Sequence, residues 1–209
     1  MRGRLLFVEG KGDGNVIYAI AQHNCIGDKF EIESKGSDGQ AKLTFEIYVN
    51  ENASKVKSIG IVIDADLSAT SRWQSIRNIL IETNNYTVPK DIPTEGLVLE
   101  PNKENKPRVG VWIMPNNKDK GMLEDFLALL TKENDPVLGF VDETIEKLKE
   151  KGLQKFSERH KAKARIHTYL AWQKDPGSDF ANAVNKKYFD SDSEIAKLFA
   201  NWLKRLFLE

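Results

Sequence analysis

The sequence contains little of what disulfide-stabilised and zinc-binding proteins depend on. Among its 209 residues there are one cysteine, Cys25, and three histidines. A single cysteine cannot form an internal disulfide, and one cysteine with three scattered histidines does not make a zinc site. We therefore expect any metal ion that the protein binds to be held by oxygen atoms.

Long apolar runs and an excess of charge of one sign are also missing. No run approaches the roughly 18 apolar residues of a membrane span, and the N-terminus lacks the apolar stretch and cleavage site of a signal peptide. We therefore expect a cytoplasmic protein with no membrane partner. Lysine plus arginine balance aspartate plus glutamate at 31 each, so the net charge does not itself predict nucleic-acid binding.

Positive charge is nevertheless concentrated in one segment, which we call the basic run. Between Glu146 and Arg165 there are eight basic residues and three acidic ones. Such a run is typical of a solvated helix face. The alternative is a phosphate-binding surface, in which Lys161 and Arg165 would be contacts.

Strand and helix patterns alternate along the chain as far as Pro115. The stretches LLFVEG and SIGIVIDAD predict buried strands, and NVIYAIAQHNC and SATSRWQSIRNILIETN predict the helices that follow them. FEIES predicts a further strand, QAKLTFEIYVNE fits a helix or a strand, and LVLEPNKENKPRVGVWIMP predicts two strands around a polar turn. The alternation predicts an α/β fold with a parallel sheet flanked by helices.

From Gly121 onwards, four segments of the sequence have helical spacing. GMLEDFLALL, VDETIEKLKEKG, AKARIHTYLAWQ and SEIAKLFANWLKRLF each predict a helix. The last has Ile195, Leu198, Phe199, Trp202 and Leu206 on one stripe, which we interpret as core. We expect an α/β core of residues 1–135 and a helical C-terminal extension of residues 136–209 packed on it, or a single domain that includes both.

Three carboxylates are predicted at the carboxyl ends of strands: Glu9, Asp64 and Asp66. Right-handed crossovers bring parallel strand ends to one edge, so the three meet if the two strands are neighbours. In an extended chain Asp64 and Asp66 would project in the same direction, past the small Ala65. Clustered carboxylates repel one another, and Mg²⁺ relieves that repulsion. The alternative is that these acids are ordinary capping and solubility residues.

Other families with similar motifs fit less well. GKGDG lacks the Gly-Lys-Ser/Thr ending of a phosphate-binding loop. Aspartate-nucleophile phosphatases have Asp-x-Asp-Gly-Thr on their first strand, whereas here Leu67 and Ser68 follow the pair. Response-regulator receivers have an acidic pair at the first strand, where this chain has Glu9 alone.

The combination of FVEGKGD and IVIDAD resembles the Toprim domain of topoisomerases, DnaG-type primases and OLD-type nucleases. More closely, FVEG, GIVIDAD, RWQSIRNIL, VGVWIMPNN, GMLEDFL and KARIHTYLAWQ resemble an uncharacterised bacterial family classed as Toprim-like. The resemblance covers most of the chain. It implies a Toprim-like Rossmannoid sheet and a metal site, but no established substrate.

By this resemblance, Glu9 is the general acid or base, and Asp64 and Asp66 are ligands of Mg²⁺ or Mn²⁺. OLD-type nucleases also have acids on a Leu-Glu helix for a second metal ion and a downstream lysine that faces the phosphate. Glu124 and Lys163 match these roles. Asp13 and Asp125 are further candidates for metal binding or for support of the ligands.

Two functions are consistent with these residues. The first is a Mg²⁺-dependent nuclease or phosphodiester-processing enzyme that acts on DNA, RNA or nucleotides. The second is a non-catalytic module that binds metal and nucleotide or nucleic acid in a defence or regulatory complex. Because the chain has no phosphate-binding loop, no zinc-binding cysteines of a primase and no region that would supply a topoisomerase tyrosine, we expect none of those full activities.

Overall fold

A five-stranded sheet lies at the centre of the computed structural model, which describes residues 3–52 and 55–209. The strands are β1 (Gly3–Val8), β2 (Glu31–Ser34), β3 (Val56–Asp64), β4 (Leu97–Leu99) and β5 (Arg108–Met114). Their order across the sheet is β2-β1-β3-β5-β4. The pairs β1–β2, β1–β3 and β3–β5 are parallel, and β4 is an antiparallel edge strand.

Helices cover both faces of this sheet. They are α1 (Lys11–His23), α2 (Asp38–Val49), α3 (Ala69–Glu82), α4 (Leu123–Leu129), α5 (Pro136–Glu150), α6 (Lys161–Ala171), α7 (Phe180–Asn185) and α8 (Glu194–Phe207). The predicted α/β fold with a helical C-terminal part is confirmed, and the ambiguous segment 40–51 is mostly helical. None of the helices within the described ranges is long and apolar enough to cross a membrane.

Alternate side chains of the strands enter two hydrophobic cores. Phe7, Ile61 and Val111 belong to the core that contains buried residues of α2 and α3. Leu6 and Trp112 belong to the other core, which contains buried residues of α1, α4 and all the later helices. The C-terminal helices therefore share one hydrophobic core with the sheet. The predicted boundary at residue 135 remains a prediction.

Helix α8 packs on the sheet through a stripe that differs in part from the predicted one. Phe199, Trp202 and Leu206 are buried as predicted, and the Trp202 indole donates a hydrogen bond to the Leu97 carbonyl at 2.8 Å. The prediction was wrong for Leu198, which is 39% exposed. The buried face is rotated about the helix axis and also includes Ala196, Ala200, Leu203 and Phe207.

Two paired glycines make the depression that receives α8. Gly60 of β3 lies opposite Gly110 of β5 in the sheet register. A Cβ atom would lie 2.8 Å from Leu206 Cδ2 if built on Gly60, and 2.5 Å from the same atom if built on Gly110. The Leu206 side chain therefore occupies space that any larger residue in these strands would fill.

We expect Gly110→Ala to lower the free energy of unfolding by about 1–3 kcal/mol, because it overpacks the contact with Leu206. Leu206→Ala alone should cost about 2–5 kcal/mol through the cavity that it leaves. The double variant should cost less than the sum, since the added methyl group fills part of that cavity. Urea unfolding of the four proteins measures the coupling. Gly39→Ala is the control, because no atom lies within 4 Å of its added Cβ. Strictly additive losses would contradict the packing.

Candidate functional site

Strands β1 and β3 are parallel neighbours, so their carboxyl ends bring two of the predicted acids together. Glu9 follows the last residue of β1, and Asp64 is the last residue of β3. One carboxylate oxygen of Glu9, Oε1, accepts a hydrogen bond from the Asp64 backbone N–H at 2.9 Å. This bond holds the Glu9 side chain across the ends of both strands.

The carboxyl group of Asp64 is buried among other acids. Its Oδ1 atom is buried and has no hydrogen-bond partner. Burial, followed by the charges of Glu9, Asp13, Glu124 and Asp66, raises the pKa of Asp64 from 3.8 to about 9. At neutral pH, and with no cation bound, this group therefore keeps its proton. The site is short of positive charge.

Two further acids and one lysine complete this group. Glu124, the second residue of α4, is only 6% exposed, and its Oε1 lies 3.7 Å from the Nζ atom of Lys163 on α6. Burial is the main cause of a raised pKa at Asp13; the Glu124 charge raises it further, and Lys163 opposes the shift. Asp13 Oδ2 also accepts a hydrogen bond from the Gly10 N–H at 3.0 Å, which caps α1. We refer to Glu9, Asp13, Asp64 and Glu124 as the acidic cluster.

Asp66 makes its hydrogen bonds and ion pairs with residues outside the acidic cluster. Its φ angle of 51° is left-handed, and its backbone exchanges hydrogen bonds with Gly121 at 2.8 and 2.9 Å. Strand β3 ends at Asp64, so the alternation from which we expected Asp64 and Asp66 to project together does not extend to Asp66. Its carboxylate accepts a hydrogen bond from Arg72 and lies 3.6 Å from Arg159.

Arg72 is a site residue that the sequence patterns did not reveal. Its guanidinium donates one hydrogen bond to Asp66 and one to Asp38, the first residue of α2. Asp38 also pairs with Lys42 at 3.2 Å. Arg72 therefore ties the loop after β3 to the start of α2. Asp125, another predicted candidate, caps α4 by accepting a hydrogen bond from the Met122 N–H at 2.9 Å.

Much of the positive charge in the basic run is neutralised locally. Arg165 forms two hydrogen bonds with Asp142, at 2.5 and 2.7 Å, and Lys161 pairs with Glu146. Lys149 lies 3.4 Å from Glu158. The excess counted in the sequence therefore overstates the charge that this segment presents to a ligand.

The acidic cluster fits a hard divalent cation in its chemistry. It offers only oxygen donors, and one of them is buried and unpartnered. Across residues 3–52 and 55–209, no group of three or more His, Cys, Asp or Glu side chains is placed so that it could hold a metal ion. Mg²⁺ commonly takes only one or two protein carboxylates and completes its octahedron with water and phosphate oxygens. Asp64 and one neighbour would meet that requirement.

Comparison with known protein families identifies one match. The model of the family described as Protein of unknown function (DUF3226) matches residues 3–208, so the chain belongs to this family. No curated protein and no solved structure matches the chain. The resemblance to Toprim domains therefore remains a prediction.

The position of Asp64 predicts how stability depends on pH. In EDTA, the free energy of unfolding should fall as pH rises from about 4 to about 9, because the folded protein keeps a proton on Asp64 that the unfolded chain has lost. Asp64→Asn removes this proton and should flatten the slope. The raised pKa values of Glu9 and Asp13 leave a smaller slope of the same sign.

Urea unfolding at several pH values measures this dependence. Glu104→Gln, in the turn between β4 and β5 at the opposite edge of the sheet, removes one acid remote from the cluster and should retain the wild-type slope. A wild-type slope in Asp64→Asn would contradict the burial of an uncompensated acid at this position.

Proposed function

We propose that this member of the DUF3226 family is a Mg²⁺-dependent phosphodiester-processing enzyme, most simply a small nuclease, with the acidic cluster as its centre. The observation that carries the proposal is the buried, unpartnered Oδ1 atom of Asp64 among three other acids. Burial of such a group is costly, and a bound cation would offset the cost. The cluster also lies at the carboxyl edge of a parallel sheet, where α/β proteins commonly bind ligands.

Asp64 would be the central metal ligand, and Glu124 is the neighbouring carboxylate that would share the ion. Asp66 could join them only by giving up its contacts with Arg72 and Arg159. When bound, Mg²⁺ would polarise the phosphate and neutralise charge on the departing oxygen. Glu9, Asp64 and Glu124 are among the residues that the Toprim resemblance implies for such a site, and this resemblance supports the proposal independently of their burial.

Glu9 is suited to moving a proton. Burial is the largest cause of its raised pKa, and the charges of Asp38 and Asp13 add to it, while the bond from the Asp64 N–H opposes the shift. Because its pKa is raised, this carboxyl group binds a proton more tightly than an ordinary glutamate, which suits a general base or acid. Lys163 has an ammonium group beside Glu124 and a side chain that is 56% exposed, so it can also reach a phosphate at the cluster.

The second candidate is a module that binds metal and nucleotide without cleaving phosphodiester bonds. Two observations favour it: Asp66 is already neutralised by arginines, and the chain has no net charge. Both functions require the metal site, whereas only the enzyme requires Glu9 to transfer a proton.

Metal binding should raise the melting temperature of the wild-type protein through Asp64. At a hundredfold excess of Mg²⁺ or Mn²⁺ over its dissociation constant, the stabilisation should be about 3 kcal/mol. Asp64→Asn should lose this response while remaining folded in EDTA. Asp66→Asn shows whether Asp66 also becomes a ligand, and Glu104→Gln is the control for loss of one charge. A wild-type protein without a metal response, or an equal response in Asp64→Asn, would overturn the metal site.

Catalysis is tested by incubating the protein with linear, circular and single-stranded DNA, RNA and free nucleotides in Mg²⁺, Mn²⁺ or EDTA. Glu9→Gln should lower metal-dependent turnover by about a hundredfold or more while keeping the metal-induced stabilisation.

Lys163→Ala should lower kcat more than it raises KM, because its charge would meet charge that develops in the transition state. Lys151→Gln, an exposed change in the same basic run, is the control. Intact metal binding with no turnover of any substrate would favour the binding module.

A further inference from the structure

A cavity of about 880 Å³ opens at the loop that follows Asp64. Its wall includes Ala65, the residue directly after Asp64, and it lies between the start of α3, the loop before α4 and the first turns of α6. We call it the cationic cavity because five basic residues line it, Arg72, Lys120, Arg159, Lys161 and Arg165, against four acidic ones, Asp66, Asp125, Asp142 and Glu158. Its volume is within the range of pockets that hold small organic ligands.

The arginines of this cavity are held in place by carboxylates. Asp66 contacts Arg72 and Arg159, and Asp142 binds Arg165 through two hydrogen bonds. A guanidinium has five N–H donors, so these contacts leave donors for a ligand. Arg159 is the most available, since its side chain is 69% exposed and its contact with Asp66 is 3.6 Å long. Such pre-positioned arginines suit a phosphate group.

The same cavity has an apolar part at its mouth. Leu67 is 84% exposed, although it lies between the left-handed Asp66 and Ser68, whose hydroxyl group caps α3. Met122, Ala65 and Ala162 add apolar lining. The backbone on both sides of Leu67 is fixed, and arginines line the same cavity. This arrangement suits a ligand that has a flat apolar group to contact the leucine and a phosphate to contact the arginines. A nucleotide with an unpaired base has both, whereas the bases of a duplex are stacked and inaccessible.

We propose that the cationic cavity is a nucleoside-phosphate site, which binds the phosphate through Arg72 and Arg159 and packs the base against Leu67. The ligand is a free nucleotide or the terminal nucleotide of a single strand. Because the loop that follows Asp64 forms part of the cavity wall, the inference deepens the proposed function by naming its substrate class and rests on that function for the reaction. Binding itself needs no metal ion.

The test is calorimetric titration in EDTA with adenosine 5′-monophosphate, adenosine, inorganic phosphate, a 5′-phosphorylated single-stranded DNA 12-mer and the corresponding blunt duplex. We expect the mononucleotide to bind more tightly than adenosine or phosphate, and the single strand more tightly than the duplex. A single strand that binds more tightly than the mononucleotide identifies a strand end as the ligand; the reverse identifies a free nucleotide. Equal affinity for phosphate and mononucleotide overturns the proposal, and equal affinity for duplex and single strand overturns the strand end as its ligand.

Two variants of exposed residues separate the phosphate from the base. Arg159→Gln should weaken mononucleotide binding about tenfold through loss of a charged donor, and Leu67→Ser should weaken it about fivefold through loss of apolar contact. The controls are Lys151→Gln, in the basic run outside the cavity, and Leu43→Ser, at a leucine on α2 that is 51% exposed. Cavity variants that bind like the wild type, or controls that lose as much affinity, overturn the proposal.

The two proposals can fail separately. Mononucleotide binding in EDTA without any Mg²⁺-dependent stabilisation supports the cavity and overturns the metal-dependent enzyme. Mg²⁺-dependent stabilisation through Asp64 without mononucleotide binding supports the metal site and overturns the cavity.

Discussion

The burial of Asp64 without a hydrogen-bond partner for Oδ1 is the constraint around which this edge of the molecule is organised. Strand β3 lies at the middle of the sheet, between β1 and β5, so the carboxyl group at its end is surrounded by the turns that follow its neighbours. Ionisation of a buried carboxyl group costs several kcal/mol unless the charge is compensated. Here the nearest groups are mostly acids, which increase that cost, so without a cation Asp64 keeps its proton at neutral pH.

The fold tolerates this local cost because its stability comes from elsewhere. Both faces of the sheet are covered by helices, and the contact of Leu206 with Gly60 and Gly110 fixes α8 across the middle of the sheet. The acids lie at the carboxyl ends of β1 and β3 and in the first turns of α1 and α4, outside these two cores. A sheet stabilised through its faces can keep an unfavourable charge arrangement at one edge, where a ligand can relieve it.

Two acids that lie two residues apart at this edge differ in their partners. Within the described part of the chain, Asp64 has no cationic partner, whereas Asp66 contacts two arginines. Asp64 ends the strand, Ala65 donates its N–H to the Met114 carbonyl at 3.1 Å, and Asp66 turns into the left-handed region against Gly121. The turn directs the second carboxylate towards Arg72 and Arg159. The acidic cluster and the wall of the cationic cavity are therefore joined along the chain at Asp64 and Ala65.

The sequence predicts the parts of this arrangement that depend on local pattern and on topology. Apolar runs and helical spacing identify most elements, and the parallel topology predicts that Glu9 and Asp64 meet. Hydrophobic periodicity alone does not tell whether segment 40–51 is a helix or a strand. It also wrongly places Leu198 in the core, because the contact of Leu206 with Gly60 and Gly110 sets the orientation of α8. The sequence also does not predict the contact between Arg72 and Asp38. The two residues are 34 positions apart along the chain and meet because α2 packs beside α3.

The basic run shows why charge counted along a sequence is a poor guide to its role. Lys163 and Arg165 are two residues apart on α6, so their side chains leave the helix about 200° apart. Arg165 therefore faces Asp142 on α5, while Lys163 faces Glu124 on α4. The pairs Arg165–Asp142 and Lys161–Glu146 attach α6 to α5 and so fix the face of α6 that carries Lys163. The segment acts less as a diffuse positive surface than as a support that holds one ammonium group at the acidic cluster and, through Arg159, one guanidinium at the cationic cavity.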